Sequence, residues 1–503
     1  MREDSFRLAD ATSDRFSIVS MHEGKSADFG DQINRLSDVS FDDTTRVIVD
    51  GSPQFIFRCM LLLDGCVSRL LLAPRIVSSS ISNAMKSQAD IALVEHPRLV
   101  ERWKGLPTVI GGTMLCEASQ KGLCKRSRNL VGATQQNTQW VLATSGTTGD
   151  CKLVGHHFRS IARTARTGER YRGLRWGLVF DVARFAGLQV LVQALVSGSV
   201  LLSVDLDDSV QNQVAWLVEQ KCDALSATPT RWRQMLMTDR LRDLPLRQVT
   251  IGGEIADERL LWSLRDRFPH ARISHIYAST EGGVAFSVHD GKPGFPRSFL
   301  ETAGGSVRLA IDCEGMLWVC GPCFESLNSI CEENYDLGCE STLNEHQGVN
   351  GTDWLRVHST RGSLANEEPH PQHLPPLGPG LRWINTGDKV EVTGDRVIFL
   401  GRADGAINVG GSKVFPERIE SIVRQVKGVE SVFVRGKPSS VAGYLVEAFV
   451  TINHDMHNER SMVEMIRAHC RASLAKHEIP AFIHIVDELP VTESGKISRA
   501  AFR

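Results

Sequence analysis

Trp140 to His157 reads WVLATSGTTGDCKLVGHH: a short apolar run, then two glycines and four hydroxyl side chains within six residues, then a lysine. The apolar run has the length of a buried strand, and the loop after it is too polar and too rich in glycine to continue one. Glycine lets the backbone approach a ligand closely and adopt positive φ, and successive exposed amides form a concave anion site. Thr144, Ser145, Thr147 and Thr148 add hydroxyl donors, and Lys152 adds a positive charge. A polyphosphate is the natural guest of such a loop, and a solvated surface turn is the alternative. The order of residues excludes a Walker A loop, which needs glycine directly before the lysine and serine or threonine directly after it. Here Asp150 and Cys151 separate Gly149 from Lys152, and Leu153 follows. No Gly-x-Gly-x-x-Gly follows the first strand, so a dinucleotide fold has little support.

Outward from this loop, the chain between about Val47 and Ser226 alternates short apolar runs with longer helix-like ones. RVIVD, SRLLLA, ADIALV, WVLAT, SVLLSV and CDALSA have the length of strands, and QFIFRCMLLLDG and SVQNQVAWLVEQ have the length of helices. Such alternation predicts a largely parallel sheet covered by helices on both faces. A second set runs through RQVTIGG, ARISHIYAS and SVRLAI. Leu188 to Val204 is slightly short for a membrane span and carries Gln189, Gln193 and a Ser-Gly-Ser break, so it reads as a buried helix followed by a buried strand. Proline and histidine near Glu367 to Gly380 mark an irregular loop, in which His370 and His373 read as solvated rather than metal-binding. After VIFLGRADG the pattern restarts as a compact α+β unit of about a hundred residues, large enough to fold by itself. The predicted class is α/β, with a large N-terminal domain of layered α/β subdomains over residues 1–400 and a small, mobile C-terminal α+β domain over residues 401–503.

The 503 residues carry a formal net charge of −2, with 42% apolar and 23% charged side chains. This is ordinary for a soluble chain of at least two domains. Basic residues are scattered, which gives no footprint for nucleic acid or an anionic membrane. MREDSFRLAD lacks the apolar core of a secretory signal. We therefore expect no nucleic-acid partner, no membrane span and a cytoplasmic location. Twelve cysteines spread from Cys59 to Cys470 without an export signal read as reduced thiols. Cys320 and Cys323, in CGPC among Cys313, Cys331 and Cys339, have the spacing of a dithiol pair or half a zinc site. No second half completes the set, and the pair follows the strand-like MLWV instead of opening a helix, so it is assigned no function.

Further motifs follow the loop TSGTTGDCK in order: GGE at Gly252–Glu254, YASTE at Tyr277–Glu281, NTGD at Asn385–Asp388, GRADGAINVGGSKVFPERIE at Gly401–Glu420 and PVTESGKISR at Pro490–Arg499. In this order and over this span, the set resembles the adenylate-forming superfamily of acyl-CoA synthetases, nonribosomal peptide adenylation domains and luciferases, and is nearest in type to the acyl/aryl-CoA ligases. The resemblance implies ATP-dependent activation of a carboxylic acid to an acyl adenylate with release of pyrophosphate, followed by transfer to a thiol. Both reactants are anions, so positioning and charge neutralisation supply most of the catalysis. By resemblance, Thr144, Ser145, Gly146, Thr147, Thr148, Gly149 and Lys152 hold the β and γ phosphates. Gly252, Gly253, Glu254 and Tyr277 form the adenine slot, with the Tyr277 ring stacking on the base. Thr280 contacts the α-phosphate and Glu281 holds Mg2+, a hard cation that prefers carboxylate and phosphate oxygens. Asp388 accepts hydrogen bonds from the ribose hydroxyls, with Arg402 nearby. Lys496 bridges the carboxylate and α-phosphate oxygens as charge builds. Asp404 is the hinge about which the small domain turns, presenting Lys496 for adenylation and the Gly410-Gly411 region for attack by the thiol.

The chain departs from that pattern in places. Cys151 stands where proline is usual, Ala278 where glycine is usual and Asn408 where lysine is common; none of these removes a group essential to the chemistry. LVFDVARFAGLQVLVQAL, Leu178 to Leu195, is expected to carry the acyl pocket, with Phe185 as a wall. Asp181 resembles the aspartate with which amino-acid-adenylating domains hold an ammonium, although the residues after it read unlike theirs and a buried carboxylate needs a cationic partner. The chain ends just after the lysine motif, so the expected acceptor is coenzyme A or the phosphopantetheine of a separate acyl carrier protein. Two alternatives stand beside the acyl-CoA ligase reading. One is a stand-alone adenylation enzyme that loads an acyl or aminoacyl group onto a carrier protein. The other is an ATP-binding regulatory protein without turnover, against which Lys496, Glu281 and Asp404 together argue.

Overall fold

The strands predicted from one continuous alternation are divided between two sheets. The structure, a computed structural model, describes residues 16–21, 44–110, 113–115, 138–145, 151–301, 307–320, 383–440, 442–453 and 458–490. The first sheet runs Thr113–Leu115, Thr108–Ile110, Ile91–Val94, Arg46–Asp50, Arg69–Leu72, Gln139–Ser145, Cys151–His156. Its inner strands are parallel and its two edges are closed by antiparallel partners. The second runs Ser17–Ser20, Val200–Ser203, Arg175–Leu178, Ala224–Ala227, Gln248–Gly252, Arg272–Ser279, Gly283–Val288, and is parallel until the last strand.

Strands covered on both faces need apolar side chains on both, which is why these segments read as continuous apolar runs. Val47, Ile48 and Val49 are all fully buried. Helix Pro53–Leu63 starts at Ser52, whose side chain accepts from the Phe55 N–H, with proline at the first helical position. Helix Phe185–Val196 is apolar nearly all round, as a helix between two layers must be. The Ser-Gly-Ser break ends it: Gly198 has φ +60°, and the Ser199 N–H reaches back to the Ala194 carbonyl at 2.9 Å. One core holds Leu70, Trp140 and Leu142 of the first sheet together with Trp176, Leu178 and Leu201 of the second and Leu188, Leu191 and Leu195 of this helix. The two sheets are thus fixed relative to each other by shared apolar burial, about 2 kcal/mol for each fully buried leucine.

A third, antiparallel sheet runs Phe295–Pro296, Arg396–Arg402, Trp383–Thr393, Met316–Cys320, Arg308–Ile311. The turn Ala403–Gly405 leaves its strand Arg396–Arg402 and leads into the small domain. There the order is Ser412–Val414, Ile407–Val409, Gly443–Ile452, Val429–Ser439, with Phe482–Ile485 parallel to Gly443–Ile452. Val432, Val434, Val446, Ala448 and Val450 share one core with residues of helices Pro416–Val423 and Glu459–Ser473. Among the described residues no helix is long and apolar enough to cross a membrane.

Candidate active site

Of the predicted site residues, Thr144, Ser145, Gly252 and Tyr277 lie at the carboxyl ends of strands in the two large sheets, where open α/β sheets bind ligands, whereas Asp388 and Arg402 lie on the antiparallel third sheet. In the first sheet, Thr144 pairs with Lys152 and Ser145 with Cys151, so the register closes the mouth of the glycine-rich loop. The Thr144 hydroxyl donates to the Lys152 carbonyl at 3.4 Å. The Lys152 side chain is exposed, whereas Cys151 is buried and its thiol pushed up by that burial. Gly146, Thr147, Thr148, Gly149 and Lys496 lie outside the described residues, as do Cys323, Cys331, Cys339, His370 and His373.

In the second sheet, Gln248–Gly252 and Arg272–Ser279 are neighbours with Gly252 opposite Ile276, which brings the Gly252-Gly253-Glu254 and Tyr277-to-Glu281 motifs side by side. A Cβ on Gly252 would sit 3.4 Å from the Ile276 carbonyl, and Gly253 turns the chain at φ +81°. The Glu254 carboxylate accepts the Thr230 N–H at 2.8 Å and the Thr230 hydroxyl at 3.1 Å, an acid at the start of helix Pro229–Leu236. Glu254 therefore ties the segment Gly252–Glu254 to that helix. A register shift between Tyr277 and Ala278 re-aims the side chains that follow. Beyond it Thr280 is half-buried and Glu281 exposed.

Tyr277 ties this edge to the third sheet. Its hydroxyl donates to the Asp388 carboxylate, and its ring lies 5.1 Å from Phe286 and 5.2 Å from Phe399, centroid to centroid, in stacked orientation. Burial, then the Asp388 charge, push the phenol above its ordinary value, so it stays a donor. Arg402 Nη1 stands 3.7 Å from the same carboxylate and donates to the Thr386 carbonyl at 2.9 Å. Its Nε and Nη2 each reach Asp404 at 3.2 Å, a two-point pairing suited to the planar guanidinium. Tyr277, Asp388, Arg402 and Asp404, drawn from three separate motifs, form one continuous chain of contacts.

Between the sheets, Asp181 is 7% exposed. It accepts the Arg75 N–H at 2.8 Å and the Ala183 N–H at 3.0 Å, joining the loops that leave the two sheets. Arg184 crosses the same gap, donating to the Ala143 carbonyl at 2.7 Å. Phe185 is buried with its ring 5.4 Å from that of His156. Sequence reasoning gave His156 no role. It closes the strand Cys151–His156 and is 1% exposed. Burial pushes its titration down to about 4, so the ring is neutral at pH 7. Sequence offered only the His156-His157 pair at the end of an apolar run as a sign of it. An exposed carboxylate at Glu281 and an exposed ammonium at Lys152 are the donor types that a hard cation and a polyphosphate require.

The AMP-binding enzyme family matches residues 63–314, and the AMP-binding enzyme C-terminal domain matches residues 418–496. The chain is 24% identical over 495 residues to a 2-succinylbenzoate–CoA ligase of Bacillus pumilus, covering 94% of this chain and 91% of that protein. It is 25% identical over 391 residues to surfactin synthase subunit 1 of Bacillus subtilis, covering 72% of this chain and 10% of that protein. Among solved structures, an anthranilate CoA ligase in complex with anthranoyl-AMP is similar in fold, with a TM-score of 0.70 at 15% identity over 100% of this chain and 97% of that one.

Proposed function

The chain belongs to the AMP-binding enzyme family, and from that premise we propose that it is an AMP-forming acid–thiol ligase. A carboxylate oxygen attacks the α-phosphorus of ATP and pyrophosphate leaves; a thiolate then attacks the acyl carbon of the adenylate and AMP leaves. The observation that carries this reading is the chain Tyr277–Asp388–Arg402–Asp404, which links the adenine-slot, ribose and hinge motifs through side-chain contacts. A role for ATP without turnover would not need the hinge residue joined to the nucleotide residues.

Within this reading Gly252 and Gly253 let the nucleotide approach the backbone, and Glu254 keeps the slot in shape. Lys152 neutralises the outer phosphates and Thr280 orients the α-phosphate. Glu281 would hold Mg2+, which when bound would supply charge neutralisation for the phosphates. Lys496 acts on the reacting oxygens, so Lys496→Ala nearly abolishes adenylate formation while thiol transfer from a supplied adenylate survives. The acceptor is coenzyme A. A separate carrier protein is the second reading, favoured by the likeness to a peptide synthetase subunit.

For the acid, we favour an uncharged aromatic or aliphatic body over an amino acid. Both oxygens of Asp181 already hold backbone amides, His156 is neutral, and Phe180 and Phe185 are apolar. The test is pyrophosphate release from ATP and Mg2+ across aryl, fatty and amino acids, each with and without coenzyme A. Sustained release with an aryl or fatty acid that rises with coenzyme A is expected. Release that stalls near one equivalent points to a carrier protein, and release with amino acids alone would overturn the substrate assignment.

A further inference from the structure

Three residues past the adenine-slot motif, Asp257 opens helix Glu258–Arg267, its Oδ1 accepting the Leu260 N–H at 2.9 Å. Its Oδ2 pairs with Arg233 of helix Pro229–Leu236 and lies 3.6 Å from Arg424 of the small domain. Arg424 is held in turn by Glu420 at 3.0 Å, whose other oxygen accepts the Val434 N–H at 3.0 Å. All four side chains are nearly buried, from 7% exposed for Asp257 and Glu420 to 14% for Arg233. Burial opposes the Asp257 charge, yet Arg233 and Arg424 outweigh it and hold the carboxyl below the usual range. Two residues on, Arg259 Nη1 donates to the carbonyls of Arg424, Val426 and Val429 at 2.5, 3.2 and 3.1 Å. The first of these carbonyls is that of the residue capping helix Pro416–Val423, where a cation meets the negative end of the helix dipole, and the other two lie in the turn and strand that follow.

Two features make this more than a structural weld. The slot segment Gly252–Asp257 is gripped twice by one helix, through Glu254 on Thr230 and through Asp257 on Arg233. Movement of the slot therefore moves the carboxylate that faces Arg424. The bonds are also of a kind that can part: separated arginine and aspartate side chains are well solvated, whereas parted apolar faces are not. We propose that Asp257, Arg259 and Arg424 are positioning residues, a clasp that seats the small domain against the adenine slot and couples its seating to nucleotide occupancy. The proposal rests on the ligase reading in that it gives the clasp a reaction with two half-steps to serve. Coupling of this kind is reciprocal, so whatever nucleotide does to seating, the clasp does to nucleotide affinity.

Trypsin cleavage at Arg402, exposed beside the turn Ala403–Gly405, needs no turnover and is compared between variants at one ATP concentration, so that direct shielding of Arg402 by nucleotide is common to all. In the full chain, Arg259→Ala is expected to speed that cleavage by about tenfold and to lose most of the change that ATP causes in the wild type. Arg259→Lys, which keeps a cation under the carbonyls, restores part of both. Adenylate formation and thiol transfer are then expected to change by unequal factors in Arg259→Ala. Arg424→Gln repeats the result from the other side, and Arg259→Ala remains decisive if that variant fails to fold. Cleavage of Arg259→Ala at the wild-type rate with the wild-type response to ATP would overturn the clasp. If no acid is activated by any variant, wild type included, the ligase reading fails while the cleavage comparison still decides the clasp.

Discussion

Burial holds the imidazoles of His156 and His275 to a titration of about 4, against 6.5 when free. Each is therefore neutral in the folded protein and readily protonated in the unfolded chain. Between pH 6.5 and 4 the unfolded state binds more protons, so the stability contributed by neutral burial is complete above pH 6.5 and is lost as pH falls towards 4. The loss is on the order of 3 kcal/mol for each histidine. His275→Gln is expected to flatten the fall in urea midpoint between pH 7 and 4.5, and an unchanged pH slope would refute the burial argument. Tyr277→Phe removes the donor to Asp388 and keeps the ring beside Phe286 and Phe399. A hydrogen bond to a charged group contributes about 1.5 kcal/mol, so KM for ATP is expected to rise about tenfold with the fold intact by circular dichroism. The expectation for the phosphate loop and the slot rests on residue types that recur in a fixed order, and Gly146 to Gly149 lie outside the described residues. His156 was not legible, since one histidine in an apolar run looks like any core residue. Arg259 was not either, since its partner carbonyl at Arg424 lies 165 residues away in sequence.

Helix Phe185–Val196 shows how packing overrides propensity at the scale of one element. An ideal Cβ on Gly187 would stand 2.1 Å from the Asp181 carbonyl oxygen and 2.9 Å from the Val182 Cα. Alanine in place of a helical glycine ordinarily stabilises, by up to about 1 kcal/mol. Here backbone blocks the methyl, so overpacking of about 2–3 kcal/mol wins. Gly187→Ala is expected to lower the thermal midpoint and to shift Phe185 away from His156, and a stabilised variant would show that the loop yields freely. The same helix was legible from sequence, with its Ser-Gly-Ser end, because its apolar run and its break are local signals. Most strands of the two large sheets were legible for the same reason. Their division into two sheets was not, because a continuous apolar strand carries no mark of which neighbour it takes. The third sheet was the least legible. Trp383–Thr393 reads WINTGDKVEVT, half-exposed and polar, and its pairing with Met316–Cys320 is set by contacts distant in sequence and a register shift.

The acid sensitivities of the parts assemble into a behaviour of the whole chain. In the small domain Glu447, whose side chain is 3% exposed, meets Arg435 at 2.8 Å, Lys437 at 3.2 Å and His484 at 3.0 Å. Burial opposes its charge, but these three partners outweigh it and hold the carboxyl below its ordinary 4.5. A depressed carboxylate stabilises fully above the unfolded value and loses that contribution only as pH falls through the lower folded one. The large domain, with His156 and His275, begins to weaken below pH 6.5; the small domain keeps its support until below pH 4.5. All nine tryptophans, Trp103 to Trp383, precede residue 401, so their fluorescence reports the large domain alone. Between pH 7 and 5 the urea midpoint seen by tryptophan is expected to fall, while hydrogen-exchange protection of Gly443–Ile452 holds until the pH drops below 4.5. A strand that lost protection in step with the fluorescence would mean that the contacts through Asp257, Arg259 and Arg424 make the two domains one cooperative unit.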